Sequence, residues 1–345
     1  MKNHPRSNMR DVADRASVSV GTVSNVLNNP ERVQPATRER VQAAIAELGW
    51  VPNPQARALR VGHSRTVGLA VMDVANPFFA DVLRGAQARL EEAGYSATIG
   101  DADNRPSREA ELLRSFAGQR LTGVILGPIG TLPPEVAALE AAGVPTVLVD
   151  RAGEEDCCTI GVDDVAGGRL AGEHLVAAGH RRLAFVGGPD TLAQVTHRRE
   201  GFLAAARTTA ATVTELPTPA LDFTSGRAAA ETLVAMPTQT RPTGVFCAND
   251  LLAIGMLQGF VTHGLRVPQD IALVGYDDID FAAAAAVPLT SVAQPRRDLG
   301  HQAAELLLQE ISDGDDHQHR RVVLQPRLVT RASSEHTLDP PRPAE

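Results

Sequence analysis

An alternation of short apolar runs with amphipathic helical stretches, repeated from Thr66 to Asp278, constrains the fold of this chain most strongly. The runs are rich in Val, Ile and Leu, as in TVGLAVMDV, TGVILGPIG and IALVGYDD, and amphipathic patterns at residues 79–93 and 108–117 separate them. Continuous apolar strands alternating with helices are typical of parallel sheets that helices cover on both faces. The sequence therefore predicts an α/β fold with doubly wound parallel sheets.

Two such sheets are expected, because a chain of 345 residues exceeds one ordinary core. The apolar runs up to Arg151 would form the first sheet, and those from Arg182 to Asp278 would form the second. The chain would cross between them near residues 162–167 and again near residues 291–295. We therefore predict two lobes with a cleft between them.

Polar side chains are concentrated where the predicted strands end, and open α/β sheets bind ligands at that edge. These residues are Asp73, Asn76, Asp150, Arg151, Asn249, Asp250, Asp277 and Asp278. Carboxylate, amide and guanidinium groups each pair with adjacent hydroxyls, so the cleft suits a sugar. Considered one at a time, Asp150 and Asp277 have a second interpretation, in which each caps a helix or a turn instead of binding a ligand. Asn76 would in the same way only form a turn. One of Phe78 and Phe79 is alternatively expected to pack in the core and not to line the ligand site.

The start of the chain differs from the rest in charge. Residues 1–62 contain nine Lys and Arg against five Asp and Glu, whereas the whole chain has a net charge of −8. A basic head on an acidic body indicates a nucleic-acid-binding segment, although basic heads without that role also occur.

Apolar residues recur at helical spacing in three stretches of this head. They are Met9, Val12, Ala13 and Ala16, then Val20, Val23, Val26 and Leu27, then Val41, Ala44, Ile45 and Leu48. Ser19 is expected to cap the second helix, while Pro35 begins the third and Gly49 ends it. Three helices within about 45 residues predict a helix-turn-helix unit.

The second helix places Gly21, Thr22, Ser24 and Asn25 opposite its valine stripe. Short polar side chains let a helix approach DNA closely, where Thr and Ser bond phosphates and Asn reads a base edge. The alternative is a plain three-helix bundle with a solvated polar face.

Three segments resemble the head and hinge of the LacI/GalR family of bacterial repressors: DVADRASVSVGTVSNVL at 11–27, TRERVQAAIAELG at 37–49 and VPNPQARALR at 51–60. The body is similar to the periplasmic-binding-protein fold that this family shares with sugar-binding proteins. The resemblance implies an N-terminal three-helix helix-turn-helix domain and a two-lobed core of doubly wound parallel sheets.

The domain boundaries implied in this way are a helix-turn-helix domain at 8–52, a hinge helix and linker at 53–64, and an effector-binding and dimerisation core at 65–335. Within the core, one lobe would comprise about 65–162 and 294–322, and the other about 163–291 and 323–333. Residues 336–345 contain three prolines and are expected to be a disordered tail.

In this family the hinge helix folds on the minor groove and a leucine wedges between bases, a known way to kink DNA. The match gives the wedge role to Leu59, with Ala56 packed beside it and Arg57 and Arg60 near phosphates. The implied DNA contacts are Ser19, Val20, Gly21, Thr22, Ser24, Asn25, Asn28, Asn53, Ala56, Arg57, Leu59 and Arg60.

The same matching implies an effector pocket in the cleft, with Phe223 as a stacking wall. The implied residues are Asn76, Phe78, Phe79, Asp150, Arg151, Arg198, Phe223, Asn249, Asp277 and Gln294. Because Phe78, Phe79 and Arg151 are all present, these positions resemble a ribose-type pocket more than a lactose-type one. We expect a pentose or a ribose-containing effector, with a nucleoside, a purine or a hexose as the alternatives.

No catalytic constellation and no cofactor motif is found in the sequence, so neither an enzyme nor a cofactor is expected. A G-x-G-x-x-G fingerprint and a Walker-type loop are absent. The acidic pairs at 163–164 and 315–316 are interpreted as solvated turns. The adjacent Cys157 and Cys158 lack zinc-ligand spacing, and the His residues at 317–319 lie in a polar loop where no metal is expected.

These observations predict a homodimeric transcriptional repressor that binds a pseudo-palindromic operator and responds to a sugar-type effector as inducer or co-repressor. A transport-type sugar-binding protein is the rival hypothesis, but it would carry an export signal in place of the helix-turn-helix. The first residues lack the apolar stretch of such a signal, and no run of about 18 apolar residues occurs. A cytoplasmic location without a membrane partner is therefore expected.

Overall fold

The computed structural model describes residues 7–50, 65–151, 153 and 156–335. The chain forms two compact units, Met1–Ser64 and Arg65–Glu345. The predicted hinge at 53–64 and the predicted tail at 336–345 lie outside the described residues. Within the described ranges, every helix is too short or too polar to span a membrane.

The N-terminal unit contains three helices. They are α1 (Met9–Ala16), α2 (Val20–Asn28) and α3 (Pro35–Leu48), with a 3-10 turn at Pro30–Arg32. Seven buried side chains form its core: Val12, Ala13, Ala16, Val23, Val26, Val41 and Ala44. The predicted helix-turn-helix unit is therefore present. Val20 departs from the predicted apolar stripe, because 38% of it is exposed.

The ends of these helices are fixed by local capping. Ser19 caps α2 as expected, accepting a hydrogen bond of 3.0 Å at its hydroxyl from the Thr22 amide. Ser17 ends α1 with φ of 54°, so a non-glycine residue occupies the left-handed region in the turn. Gly49 ends α3 with φ of 55°, a conformation that glycine adopts at no steric cost.

The second unit contains twelve strands among its described residues. They are β1 (Thr66–Val71), β2 (Ser96–Asp101), β3 (Gly123–Leu126), β4 (Thr146–Val149), β5 (Cys158–Val162), β6 (Arg182–Gly187), β7 (Thr212–Pro217), β8 (Gly244–Cys247), β9 (Ala272–Asp277), β10 (Thr290–Ala293), β11 (Arg321–Leu324) and β12 (Arg327–Val329). Its helices are α4 (Pro77–Glu92), α5 (Pro106–Gly118), α6 (Pro134–Ala141), α7 (Asp164–Ala177), α8 (Ala193–Arg207), α9 (Phe223–Ala235), α10 (Asp250–Thr262), α11 (Asp280–Ala284) and α12 (Arg296–Asp313), followed by a 3-10 turn at Gly314–Asp316.

The strands form two six-stranded sheets. The first has the order β11-β5-β4-β3-β1-β2 and is parallel throughout. The second has the order β12-β10-β9-β8-β6-β7, in which only β12 is antiparallel to its neighbour. The two-sheet α/β prediction is therefore confirmed.

The chain passes between the sheets three times: between β5 and β6, between β10 and β11, and between β11 and β12. The last passage is the short link from Leu324 to Arg327. It lies slightly later in the chain than residue 323, where the second lobe was expected to resume. The division into lobes by residue number stays a prediction.

Helix α7 and helix α8 pack with their backbones in close contact. A Cβ atom on Gly168 of α7 would lie 1.9 Å from the carbonyl oxygen of Arg198 on α8. Likewise, a Cβ on Gly201 would lie 1.9 Å from the carbonyl oxygen of Val165. Only glycine permits this approach, which places Asp164 at the start of α7 beside Arg198 on α8.

Two predicted helices begin two residues earlier than their apolar pattern indicates. Pro77 and Pro106 occupy the first turns of α4 and α5, where proline needs no hydrogen bond from its nitrogen. Strand β7 was not predicted because its alternating, partly exposed residues at the edge of a sheet differ from the continuous apolar runs.

Candidate functional site

A buried arginine organises the polar cluster at the ends of the strands. Arg198 projects from α8 and is 3% exposed. Its Nε donates to Asp164 Oδ1 at 2.7 Å, and its Nη1 donates to the Ala248 carbonyl oxygen at 2.8 Å. Its guanidinium carbon lies 3.8 Å from the centroid of the Tyr276 ring, a cation–π contact. Arg198 is therefore held from three directions.

Three carboxyl groups surround this single guanidinium. Asp164 pairs with it directly, Asp277 Oδ1 lies 3.7 Å from Arg198 Nη1, and Asp150 interacts with it electrostatically. Burial raises the pKa of Asp277 to about 6, against the lowering effect of Arg198 and of the Gln294 hydrogen bond. Burial likewise raises the pKa of Asp150 well above its usual value, and Asp164 and Asp277 add to this rise.

The pKa of Arg198 is raised as well, although for a different reason. Burial by itself lowers the pKa of a guanidinium, but Asp164, Tyr276, Asp277 and Asp150 together raise it above its usual value. Arg198 is therefore permanently charged, and the cluster holds more acidic groups than one cation balances. Such a surplus favours hydrogen-bond donors, whether hydroxyls or bound protons, over anionic ligands.

A hydrogen bond connects the two lobes beside this cluster. Asp150 follows β4 of the first sheet, and its Oδ2 accepts a hydrogen bond of 3.3 Å from Gln194 Nε2 on α8, which follows β6 of the second sheet. Asp150 has φ of 59°, so the backbone turns sharply as the strand ends. Arg151 Nη1 donates to the Gly130 carbonyl oxygen at 2.8 Å.

A small pocket lies at this contact between the lobes. Its volume is about 130 Å³, and its lining residues are Asp150, Arg151, Gly153, Asp164, Ala193, Gln194 and His197. Small-molecule sites are typically larger, roughly 300–1,000 Å³. The pocket therefore fits a compact ligand, and a larger one requires the lobes to separate.

The structure brings together only some of the predicted effector residues. Asp150 and Arg151 line the pocket, Arg198 and Asp277 lie in the cluster behind it, and Gln294 Nε2 donates to Asp277 Oδ1 at 2.7 Å. The assignment of these five residues to effector binding stays a prediction.

Two predicted amide residues act as helix caps. The Asn76 side chain accepts a hydrogen bond of 3.0 Å from the Phe78 amide at the start of α4. The Asn249 side chain accepts one of 3.0 Å from the Leu252 amide, and its Nδ2 donates to the Leu221 carbonyl oxygen at 3.0 Å. Both side chains therefore form hydrogen bonds with the backbone, whereas the alternative considered for Asn76 was that it forms a turn.

The predicted aromatic residues do not line the pocket. Phe78 and Phe79 are both buried in the core, with ring centroids 4.9 Å apart and an edge-to-face arrangement. Phe223 begins α9 and is 39% exposed. The stacking role proposed for Phe223 stays a prediction.

Sequence reasoning missed four polar or aromatic residues of the site. It also misinterpreted one pair of residues. The pair at 163–164 is not a solvated turn: Asp163 caps α7, and Asp164 is buried against Arg198 because the glycine contact brings α7 onto α8. Gln194, His197 and Tyr276 were not singled out. The helical spacing of four between Gln194 and Arg198 is a signal that identifies Gln194 once Arg198 is chosen.

In the N-terminal unit, the described DNA-contact candidates lie on α2 and its cap. Ser19, Val20, Gly21 and Asn25 are exposed, whereas Thr22 and Ser24 are partly buried. The side chain of Asn28 lies outside the described residues, as do Asn53, Ala56, Arg57, Leu59 and Arg60. Their roles stay predictions.

Two family models match the chain. The model of bacterial regulatory proteins of the lacI family matches residues 8–53, and the model of a periplasmic binding protein-like domain matches residues 173–334.

Three curated relatives match over nearly the whole chain. The transcriptional regulator CelR of Thermobifida fusca is 36% identical over 96% of this chain and 100% of its own length. The ribose operon repressor of Escherichia coli is 34% identical over 94% and 99%. The transcriptional repressor CytR of Escherichia coli is 32% identical over 90% and 91%.

Solved structures agree with this result. A CelR–cellobiose complex has a TM-score of 0.71 and 33% identity, covering 95% of this chain and all of that chain. A Lac repressor dimer bound to operator and the anti-inducer ONPF has a TM-score of 0.81 and 28% identity, covering 96% and 99%.

Proposed function

Because the chain belongs to the LacI family of bacterial regulatory proteins, we propose that this sugar-controlled transcriptional repressor responds to a pentose, with ribose favoured, bound in the cleft around Arg198. The protein binds operator DNA, and its family acts as dimers. The pentose, the residues that contact it and the domain boundaries are the proposed parts. Such a regulator acts where the chromosome lies, so we place it in the cytoplasm.

The cluster of Asp150, Asp164 and Asp277 around Arg198 is the observation that carries this proposal. The three carboxyl groups outnumber the guanidinium groups of Arg198 and Arg151, so the site accepts hydrogen bonds from neutral hydroxyls and disfavours phosphate or carboxylate groups. A ligand that offers several hydroxyls and no negative charge therefore fits the site. Free pentoses meet this requirement, whereas nucleotides and sugar phosphates do not.

The size of the pocket favours a small sugar. A volume of about 130 Å³ between Asp150, Gln194 and their neighbours suits a monosaccharide better than a disaccharide. Among the relatives, one is named for ribose, and one related structure contains cellobiose. These names differ, so the choice of a pentose rests on the size of the pocket and on Arg151, which lines it.

The proposed control of DNA binding uses the contact between the lobes. A sugar that enters beside Asp150 and Gln194 replaces or supplements their hydrogen bond, so occupancy changes the free energy of the closed arrangement. In the dimer this change would separate the two hinge segments at 53–64, loosen their fit in the minor groove and release the operator. An effector that favours the DNA-bound arrangement would act as a co-repressor instead.

On the DNA side, we propose that Thr22, Ser24 and Asn25 enter the major groove of each half-site. A dimer with two-fold symmetry then matches a pseudo-palindromic operator. The exposure of Asn25 and Val20 on α2 supports this orientation.

A thermal-shift screen tests the effector, because a ligand that binds only the folded state raises its apparent stability. The purified chain is screened with ribose, other pentoses, hexoses, cellobiose and nucleosides. We expect the largest shift with a pentose, and a loss of that shift in Gln194→Ala. Gln258→Ala, on the exposed face of α10, is the matched control and should keep it.

A shift with nucleosides or cellobiose alone would contradict the pentose and leave the family function intact. Equal shifts in the parent and in Gln194→Ala would show that the pocket lies elsewhere. Titration of the operator complex with the active sugar then gives the sign of the response.

A further inference from the structure

A second polar cluster lies in the first lobe, away from the pocket. It consists of Cys158 on β5, Glu310 near the end of α12, and His317 and His319 in the segment that leads into β11. One donor atom from each of the four residues lies within 4.8 Å of the other three. Cys158 and His317 are 159 positions apart along the chain, so only the fold brings them together.

The donor atoms lie close to one another. Cys158 Sγ lies 3.2 Å from His317 Nε2 and 4.0 Å from His319 Nδ1. Glu310 places Oε2 3.9 Å from His317 Nε2 and Oε1 3.8 Å from His319 Nδ1. Donors bound to a tetrahedral ion at about 2.0–2.3 Å are roughly 3.3–3.6 Å apart. Since all four donors lie within 4.8 Å of one another, the side chains need to move closer by up to about 1 Å to hold such an ion.

Neighbouring groups orient these donors toward each other. Asp313 Oδ2 lies 3.0 Å from His317 Nδ1, so the Nδ1–H points to the carboxylate and Nε2 points to Cys158. The Arg320 backbone amide donates to Cys158 Sγ at 3.3 Å, which suits a sulfur that carries negative charge. A carboxylate that fixes a histidine in this way is a common second partner in metal sites.

Burial gives a further argument. Cys158 is fully buried, and the His317 side chain is 3% exposed. Glu310 Oε2 is also buried and makes no hydrogen bond among the described residues. A buried carboxylate oxygen without a hydrogen bond is unfavourable unless a cation or proton compensates it.

We propose that Cys158, Glu310, His317 and His319 form a binding site for a first-row transition-metal ion, with Zn²⁺ as the preferred occupant. One sulfur, two imidazole nitrogens and one carboxylate oxygen are all donors that Zn²⁺ accepts, and together they would complete a four-coordinate tetrahedral set. Ca²⁺ and Mg²⁺ prefer sets made of oxygen alone. This proposal departs from the sequence expectation of no metal at 317–319, and it rests on contacts that chain spacing does not reveal.

Such an ion would connect three elements of the first lobe. It joins β5, the end of α12 and the segment before β11, the edge strand that pairs with β5. Metal binding to the folded state alone therefore stabilises this lobe. The site is independent of the effector, because none of its four residues lines the pocket.

Metal titration of the full-length chain tests the site, after removal of bound metal with a chelator. We expect one Zn²⁺ per chain by competition with a chromophoric chelator, and a Co²⁺ complex with thiolate charge-transfer and tetrahedral d–d absorption. Cys158→Ser should abolish the charge-transfer band, and His319→Ala should weaken Zn²⁺ binding by at least about 10–100-fold, since loss of even an outer partner has that effect.

Cys157→Ser and His301→Ala are the matched controls. Cys157 is the neighbouring buried thiol outside the cluster, and His301 is an exposed histidine on the same helix as Glu310. Both should retain the cobalt spectrum and the zinc affinity. Circular dichroism of each variant shows that it is folded before the comparison is made.

An additional variant, Asp313→Asn, keeps all four proposed ligands. We expect it to lower zinc affinity about 10–100-fold by removing the group that orients His317. The proposal is overturned if the parent binds neither metal, if the cobalt spectrum lacks a thiolate band, or if Cys158→Ser and His319→Ala bind Zn²⁺ as the parent does.

Discussion

Arg198 and Asp164 form an ion pair in which Nε lies 2.7 Å from Oδ1 and both side chains are less than a tenth exposed. The pair joins α7 to α8 and contributes to the charge beside the small pocket between the lobes. A residue in this position stabilises the fold of the lobe, whether or not it also contacts a ligand. Its substitution is therefore expected to lower the free energy of unfolding before it affects binding.

Arg198→Ala should strongly lower the free energy of unfolding. Removing one partner leaves a buried carboxylate without compensation, for which we expect a loss of about 3–5 kcal/mol in urea denaturation. Arg199→Ala is the adjacent control, because Arg199 pairs with Glu215 at the surface and such pairs contribute about 0–1 kcal/mol. Equal losses in the two variants would show that the buried pair has no special role. Effector binding is therefore better tested with Gln194→Ala.

Asp277→Asn should change how stability depends on pH. The pKa of Asp277 is raised to about 6 in the folded protein from a usual value of 3.8, so the folded state retains a proton that the unfolded state has lost between these values. Stability from this group is thus greatest at low pH and falls as pH rises through about 6. Asparagine does not titrate, so the stability of the variant relative to the parent should increase from pH 4 to pH 7.

Thermal denaturation of both proteins across this range measures the difference. A relative stability that stays constant from pH 4 to pH 7 would show that Asp277 is not protonated in the folded state near pH 5.

Gly168→Ala should force α7 away from α8. The new Cβ would lie 1.9 Å from the Arg198 carbonyl oxygen, a backbone atom that cannot move alone. Overpacking of this kind typically costs about 1–3 kcal/mol and here should also weaken the contact of Asp164 with Arg198. Gly118→Ala, at the end of α5, is the control, since a Cβ there has no atom within 4 Å. Urea denaturation should separate the two variants, and similar stabilities would contradict the close packing.

Leu59→Ala should reduce specificity for operator DNA rather than affinity for DNA in general. A side chain that wedges between bases acts at the kinked centre of the operator, and a few kcal/mol are involved, so the ratio of specific to non-specific binding should fall about tenfold or more. The operator is first selected from random duplexes by the parent protein. Equal losses on the selected and scrambled duplexes at one salt concentration would remove the wedge assignment.

The periodicity of the sequence predicts most of the fold. The apolar runs at β1, β3, β6, β8 and β9 were correctly assigned to parallel strands because they are buried on both faces. Strands β11 and β12 are short and partly exposed, so their sequences carry no comparable signal. Sheet order also depends on contacts between distant segments, which local patterns do not contain.

The sites were predicted less completely than the fold. Arg198 and Asp277 were both implied by the family resemblance, and the structure places Arg198 Nη1 3.7 Å from Asp277 Oδ1. Asp277 also lies at a strand end, where parallel sheets concentrate polar groups. Their role in effector binding stays a prediction. Asp164 was missed since its burial depends on the contact of Gly168 with α8 rather than on its own neighbours in sequence. The grouping of Cys158 with His317 depends in the same way on the pairing of β5 with β11.

The late position of β11 in the chain has a consequence for synthesis. The edge of the first sheet beside β5 is completed only by residues 321–324, which follow five of the six strands of the second sheet. A ribosome has therefore delivered the whole second sheet except β12 before the first can close. The β5 edge therefore stays unpaired during that interval, and truncation before residue 321 would remove the strand that closes the first sheet.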